Sequence, residues 1–276
     1  MQTIENMLDL ADSHPVVMGI LNATPDSFSD GGKFVRPEIA VARAREMLAQ
    51  GADIIDIGAE STRPGAERVA ASDQIDRLAE ILPAVCELGA IVSIDTTRAR
   101  VAEFALQAGA KIINDISAGE EDPEILALAG ALGSPICLMH KKGSPDSMQK
   151  NPEYFDVVSE VARYLELRVE SAMQAGVDRE KCIVDPGIGF GKTLAHNLEL
   201  IKHTARFAKI AGPVLMGTSR KRFIGEIANE PVPENRLGGT IASNLYALGE
   251  GAKIFRVHDV KQTRQALDVF CRIADA

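Results

Sequence analysis

One unit recurs along the whole chain, and it constrains the fold more than any other feature. A short β-branched run ends in a polar residue, a polar loop follows, and an amphipathic stretch with helical spacing leads to the next run. Strand candidates fall at 16–21, 54–57, 91–94, 111–113, 135–139, 182–184, 213–216 and 253–256. Between them, helical spacing covers 37–50, 72–88, 98–107, 123–132, 154–175, 194–207, 235–248 and 261–275. Several helical stretches stop at a glycine, at Gly51, Gly109, Gly176 and Gly251, as left-handed helix termination prefers. A Gly-Ala-Asp/Lys junction before a strand repeats at 51–53, 109–111 and 251–253. Eight such units in about 250 residues match a closed (β/α)8 TIM barrel, whose active site lies at the C-terminal ends of the strands. An open doubly wound sheet would want a GxGxxG turn after its first strand, and none follows 16–21. No linker or shift of composition divides the chain, so residues 1–276 are expected to form a single domain.

Composition narrows the partners. The 276 residues are 46% hydrophobic, enough for a large core, and 30 Lys and Arg against 39 Asp and Glu give a net charge of −9. That balance argues against a general nucleic-acid or anionic-membrane binder. Cys86, Cys137, Cys182 and Cys271 are far apart with no CxxC pair, so neither a disulfide framework nor a zinc site is expected. The N-terminal residues carry acids and lack a long apolar run, unlike a secretion signal. No stretch approaches the roughly 20 apolar residues of a membrane span. A cytoplasmic, soluble protein is the expectation.

The polar strand ends carry the functional argument. Asp95 ends IVSID, Asn114 ends KIIN and Asp185 ends CIVD. Alone, Asp95 or its neighbour Thr96 reads well as a cap of the next helix, and Asn114 does likewise after its own run. Together at the mouth of one barrel, two carboxylates and an amide make a clamp for a flat, donor-rich heterocycle. Asn22 ends the first run, and the loop after it (Asp26, Ser27, Phe28, Ser29, Asp30, then two glycines) reads as either an ordinary turn-rich loop or a lid, with Phe28 between two serines favouring the lid. Thr62, Arg63 and Pro64 lie beyond the second strand tip; the Arg is either a phosphate fork or a solvated surface charge. His140 after the fifth run reads as a structural histidine. The segment DPGIGFGK, residues 185–192, fails the spacing of a phosphate-binding Walker loop, and its glycines would let Phe190 and the backbone approach a ligand closely. Lys221 after the seventh run is either a charged donor or a Schiff-base nucleophile, its pKa lowered by flanking Arg220 and Arg222. Alternation puts Arg256 and His258 on one face. With Arg63 they form a cationic cluster suited to a diphosphate, where Asn22 would help hold a hydrated Mg2+.

MGILNATPDSFSDGG, DIGAESTRPGA, DPGIGFGK and GTSRKRFIG, with RVHD near the end, occur in the order found in bacterial dihydropteroate synthases, and the chain resembles that family over nearly its whole length. The resemblance implies a commonly dimeric barrel that condenses 6-hydroxymethyl-7,8-dihydropterin diphosphate with 4-aminobenzoate. The products are 7,8-dihydropteroate, for folate synthesis, and diphosphate, which leaves in an SN1-like step; sulfonamides compete with the aminobenzoate. Carried over by position, it implies a pterin clamp of Asp95, Asn114, Asp185 and Lys221. It implies a diphosphate region of Asn22, Thr62, Arg63, Arg256 and His258, with Mg2+ held by Asn22 and Asp30. The aminobenzoate pocket would hold Phe28, Pro64, Phe190 and Lys221. Many members place Ser where this chain has Arg222, which would lie near the aminobenzoate carboxylate or point away from it. Catalytic roles fall to Asp95, Lys221, Arg256 and His258. Three rivals share parts of this pattern: a pterin-dependent methyltransferase without use for the cationic cluster, an aldolase built on Lys221, and a folate-binding module without turnover.

Overall fold

The computed structural model describes residues 11, 13–23, 36–60, 68–143 and 152–276. All eight expected runs are strands: β1 (Val16–Asn22), β2 (Ile54–Gly58), β3 (Ile91–Asp95), β4 (Ile112–Asp115), β5 (Ile136–Met139), β6 (Cys182–Asp185), β7 (Leu215–Met216) and β8 (Ile254–Val257). They pair in parallel in chain order, with β1 also joined to β8. The ring closes between β6 and β7 through a single bridge, Val184 to Val214. The helices are α1 (Pro37–Ala49), α2 (Ala71–Leu78), α3 (Ile81–Cys86), α4 (Ala99–Gln107), α5 (Glu124–Leu132), α6 (Val157–Gln174), α7 (Leu194–Lys202), α8 (Thr204–Phe207), α9 (Arg222–Ala228), α10 (Leu237–Gly249) and α11 (Val260–Ala274).

Three helical boundaries differ from the sequence pattern, each for a local reason. The stretch 72–88 is two helices, because Pro83 lacks an N–H and its ring would clash with the carbonyl of Ala79 in a continuous helix. The stretch 194–207 breaks at His203, where the Thr204 hydroxyl turns back to donate to the Ile201 carbonyl at 2.8 Å. Helix α6 starts three residues later than its periodicity, since the Asp156 side chain caps the N–H groups of Val158 and Ser159. Helix α9 was not visible as a separate periodic stretch.

Strand alternation sorts the core into two regions. Outward residues such as Ile55, Val92, Ile113, Val184 and Phe255 pack against the helices. Inward residues, among them Met18, Ile54, Ile91, Ile112, Ile183 and Ile254, form a separate apolar floor inside the barrel. Two residues further along β2, β3, β4, β6 and β8, the same inward face becomes polar: Asp56, Ser93, Asn114, Asp185 and Arg256. One more step brings Asp95 and His258, and the same parity on β1 brings Asn22. The apolar floor thus supports a polar layer at the carboxyl mouth, delivered from distant parts of the chain; Asp56 and Arg256, which pair within it, are 200 residues apart.

Candidate active site

The polar layer is built around Arg256. Its Nε donates to Asp56 at 2.7 Å and a terminal nitrogen donates to Asp95 at 2.8 Å. The amide of Asn114 donates to the same Asp56 oxygen at 3.1 Å. Asp56, Asp95 and Asn114 are all buried. One carboxylate oxygen on Asp56, one on Asp95 and the hydroxyl of Ser93 remain buried without a hydrogen-bond partner. Orphaned acceptors of this kind are costly unless a ligand supplies donors. Across the mouth, the Asp185 carboxylate accepts the Gly187 N–H at 2.7 Å. The Lys221 ammonium lies 4.1 Å from the centre of the Phe190 ring, a cation–π contact beside Asp185.

Burial dominates the electrostatics. It pushes the Asp95 carboxyl up to about 7, against the pull of Arg256. It also raises Asp185, against the Gly187 N–H and the charge of Lys221. Lys221 is lowered to about 8, first by burial and then by Arg256, with Asp185 and Asp95 opposing. This corrects the expected cause. Arg220 is turned to Asp259, to which it gives two hydrogen bonds at 3.0 and 2.7 Å. Arg222, the first residue of α9, is exposed and paired with Glu226 at 2.8 Å. Neither is among the groups that lower Lys221, and Arg222 points away from the mouth.

The structure brings Asp95, Asn114, Arg256, Asp185, Lys221 and Phe190 to the mouth. Asn22 and His258 border a hollow of about 500 Å3 on the α1 side of the rim, also lined by Arg43 and Arg220; Asp95, Asn114 and Asp185 do not line it. The His258 Nδ1 lies 3.0 Å from the Ser219 hydroxyl, which also accepts the His258 backbone N–H. Arg256 is therefore not a free cation waiting for an anion: two of its nitrogens are held by carboxylates. Phe28, Asp30, Thr62, Arg63 and Pro64 lie outside the described residues. The helix-cap alternatives for Asp95 and Asn114 do not hold. Thr96 takes the local role, accepting the Arg98 N–H at 3.2 Å, and Asp115 serves the turn after β4 through Ser117 and Gly119. His140 is structural as expected: it is buried, its pKa is pushed down to about 2, and it faces Lys192. Two of the three glycines of 185–192 correct another expectation. A Cβ at Gly187 would sit 1.9 Å from the His140 carbonyl oxygen, and one at Gly191 would sit 2.3 Å from that of Lys142. These two make room for neighbouring backbone rather than for a ligand, whereas a Cβ at Gly189 would crowd the Lys221 side chain, 3.1 Å from its Cδ.

This geometry has close relatives. A profile of pterin binding enzymes matches residues 18–258. The dihydropteroate synthase of Synechocystis sp. is 47% identical over 261 residues, covering 94% of this chain and 89% of the relative. The chain belongs to the bacterial dihydropteroate synthase family. That of Escherichia coli K12 is 45% identical over 263 residues, covering 95% and 92%. Among solved structures, Xanthomonas albilineans dihydropteroate synthase with 4-aminobenzoic acid superposes with a TM-score of 0.89 at 41% identity, covering 95% of this chain and 94% of the other. The same enzyme in complex with 7,8-dihydropteroate gives 0.85 at 39%, covering 95% of each.

Within that family frame, sequence reading missed Asp56 and Ser219. The signal for Asp56 was present, a lone carboxylate inside the apolar run 54–57 at the inward parity of Ile54. Attention to strand ends alone passed over it.

Proposed function

We infer that the chain is a dihydropteroate synthase, joining 4-aminobenzoate to 6-hydroxymethyl-7,8-dihydropterin diphosphate and releasing diphosphate. The observation that carries this reading is the pair of unpartnered buried carboxylate oxygens on Asp56 and Asp95, facing Asp185 and Lys221 across one mouth. A pterin edge supplies the missing N–H donors, and Lys221 supplies a donor to its acceptor side. Departure of diphosphate in an SN1-like step leaves a cation at the exocyclic carbon. Ionised Asp95 and Asp185 stabilise that charge, in a layer where water does not screen them. The aniline nitrogen of 4-aminobenzoate then attacks, with Phe190 and the Lys221 stem as one wall of its pocket. Asn22 and His258 at the rim, with Thr62 and Arg63, hold the leaving diphosphate.

Mg2+ fits this arrangement as a substrate-linked ion. The Asn22 amide oxygen and the Asp30 carboxylate are the hard oxygen donors Mg2+ takes. Among the described residues no cluster of three or more His, Cys, Asp and Glu could hold a metal. Asn22 and Asp30 would hold the ion with diphosphate oxygens, and it would neutralise the leaving group's charge. We further place the enzyme in the cytoplasm as a homodimer. No helix among the described residues is long and apolar enough to cross a membrane. Exposed Ile227, Tyr246 and Val269 on α9, α10 and α11 offer apolar surface for a second copy.

The direct test is incubation with 4-aminobenzoate, the dihydropterin diphosphate and Mg2+. Release of diphosphate with formation of dihydropteroate is expected, and its absence from well-folded protein would overturn the reading. The pH profile of kcat/KM for the pterin substrate is expected to be bell-shaped. Asp95 is raised, so the ionised acceptor is lost as pH falls through about 7. Lys221 is lowered, so its charge is lost as pH rises through about 8. A flat profile from 6 to 9 would contradict both assignments.

Lys221 acts here without forming a covalent bond. The charges of Asp185 and Asp95 favour its ammonium form against burial, and a charged amine is a poor nucleophile. Borohydride added during turnover should give no adduct by intact mass. Lys221→Arg keeps the charge but not the compact donor, and is expected to lose most activity.

A further inference from the structure

We propose that Lys192 is a positioning residue for the substrate clamp, fixing the loop that carries Asp185 and Phe190. The proposal rests on the pterin-binding role of Asp185 given above. Lys192 follows the Gly-rich loop after β6 and is 2% exposed. Its ammonium donates to the Gly187 carbonyl at 2.8 Å and the Phe190 carbonyl at 2.9 Å, and lies 3.1 Å from His140 Nδ1. The His140 carbonyl is also in reach at 3.3 Å. An ammonium has three N–H groups, and four acceptor atoms from three residues surround this one. Neutral His140 offers the Nδ1 lone pair.

The two carbonyls gripped by Lys192 belong to the two loop residues that matter most. Gly187 gives its N–H to Asp185, so fixing Gly187 fixes the orientation of that carboxylate. Phe190 carries the ring under the Lys221 ammonium. Through His140, Lys192 also ties the loop to the end of β5, where the His140 N–H already donates to the Asp185 carbonyl at 3.0 Å. Removing Lys192 would leave buried carbonyls without donors and free the loop to shift the clamp. Its charge has a second effect. The groups it feels or acts on are Asp185, Lys221, His140 and His196, and it favours the ionised form of Asp185. Burial lowers Lys192 itself to about 7.

Two variants separate the effects. Lys192→Met removes donors and charge; Lys192→Gln keeps two N–H donors without the charge. Calorimetric pterin binding is measured from pH 5 to 8 on both and on wild type, with melting curves. Tyr154→Phe serves as a control, since Tyr154 donates to Gly191 of the same loop at 2.9 Å and is neutral. Lys192→Met should bind pterin roughly tenfold more weakly or worse, on the scale of one lost hydrogen bond. In Lys192→Gln the acid loss of binding should begin at higher pH than in wild type, because Asp185 keeps Lys221 and Arg256 as neighbouring cations but loses the third, Lys192. Tyr154→Phe should leave that limb where it is. If Lys192→Met does not fold, the limb in Lys192→Gln decides. Pterin affinity and acid limb both unchanged in folded Lys192→Gln would overturn the proposal. Wild-type pterin binding tests the underlying reading separately: its absence would remove the clamp assignment, whatever the variants do.

Discussion

Asp185→Asn is expected to weaken pterin binding by roughly 100-fold or more while the protein melts at close to its usual temperature. One oxygen of the carboxylate accepts the Gly187 N–H, which leaves the other to face the ligand. An amide in its place would either turn its NH2 group against a pterin N–H or give up the Gly187 bond. Hydrogen bonds to a charged group are worth about 1.5–3 kcal/mol, and two are at stake; each 1.4 kcal/mol is about tenfold in affinity. The fold has less to lose, because burial raises the Asp185 carboxyl and its charge is not held for stability alone. Calorimetry with matched melting curves measures both. Equal affinity in the variant would remove Asp185 from the clamp.

Arg256→Gln is expected to be far more damaging to the protein itself. Arg256 holds two buried carboxylates, Asp56 at 2.7 Å and Asp95 at 2.8 Å. Removing one partner of a buried ion pair typically costs about 3–5 kcal/mol, because the remaining charge is left uncompensated. Here two charges on the neighbouring strands β2 and β3 would be left without their shared cation. The loss should depend on pH. Without Arg256 the folded pKa of Asp95 rises further above its unfolded value. The penalty is then full at pH above that folded pKa and eases as acidification protonates the carboxylate. Urea unfolding of wild type and variant should show the gap narrowing from pH 8 to pH 6. A gap that widens on acidification would mean the carboxylates are not what Arg256 stabilises.

Much of this was legible before any coordinates. The barrel followed from a repeated unit, and Asp95, Asn114 and Asp185 stood out because each ends an apolar run where a polar group needs a partner. What could not be read was pairing between strands distant in sequence but close in the ring. Asp56 sits inside its run, and its reason to be there is an arginine 200 positions later. The direction of Arg222 depends on how α9 leaves Lys221, and Arg220 in a left-handed conformation (φ 60°) sets that exit. Sequence proximity made Arg220 and Arg222 look like the influences on Lys221, whereas the acting cation is Arg256. The split of 72–88 was readable from Pro83 alone, given weight for the carbonyl it displaces.

The ring of strands is joined least where it matters most to the ligand. β7 is two residues long, and it meets β6 through the single Val184–Val214 bridge. Asp185 follows Val184 directly, and Lys221 lies a short loop beyond β7. A pterin held by both residues therefore spans the joint and acts as a staple across it. In the empty enzyme the Val184 amide, bonded to Pro213 at 3.1 Å, should exchange its hydrogen faster than the amides of the β1–β2 pair. Pterin should slow that exchange more than any other in the sheet, so that the substrate completes the barrel that binds it.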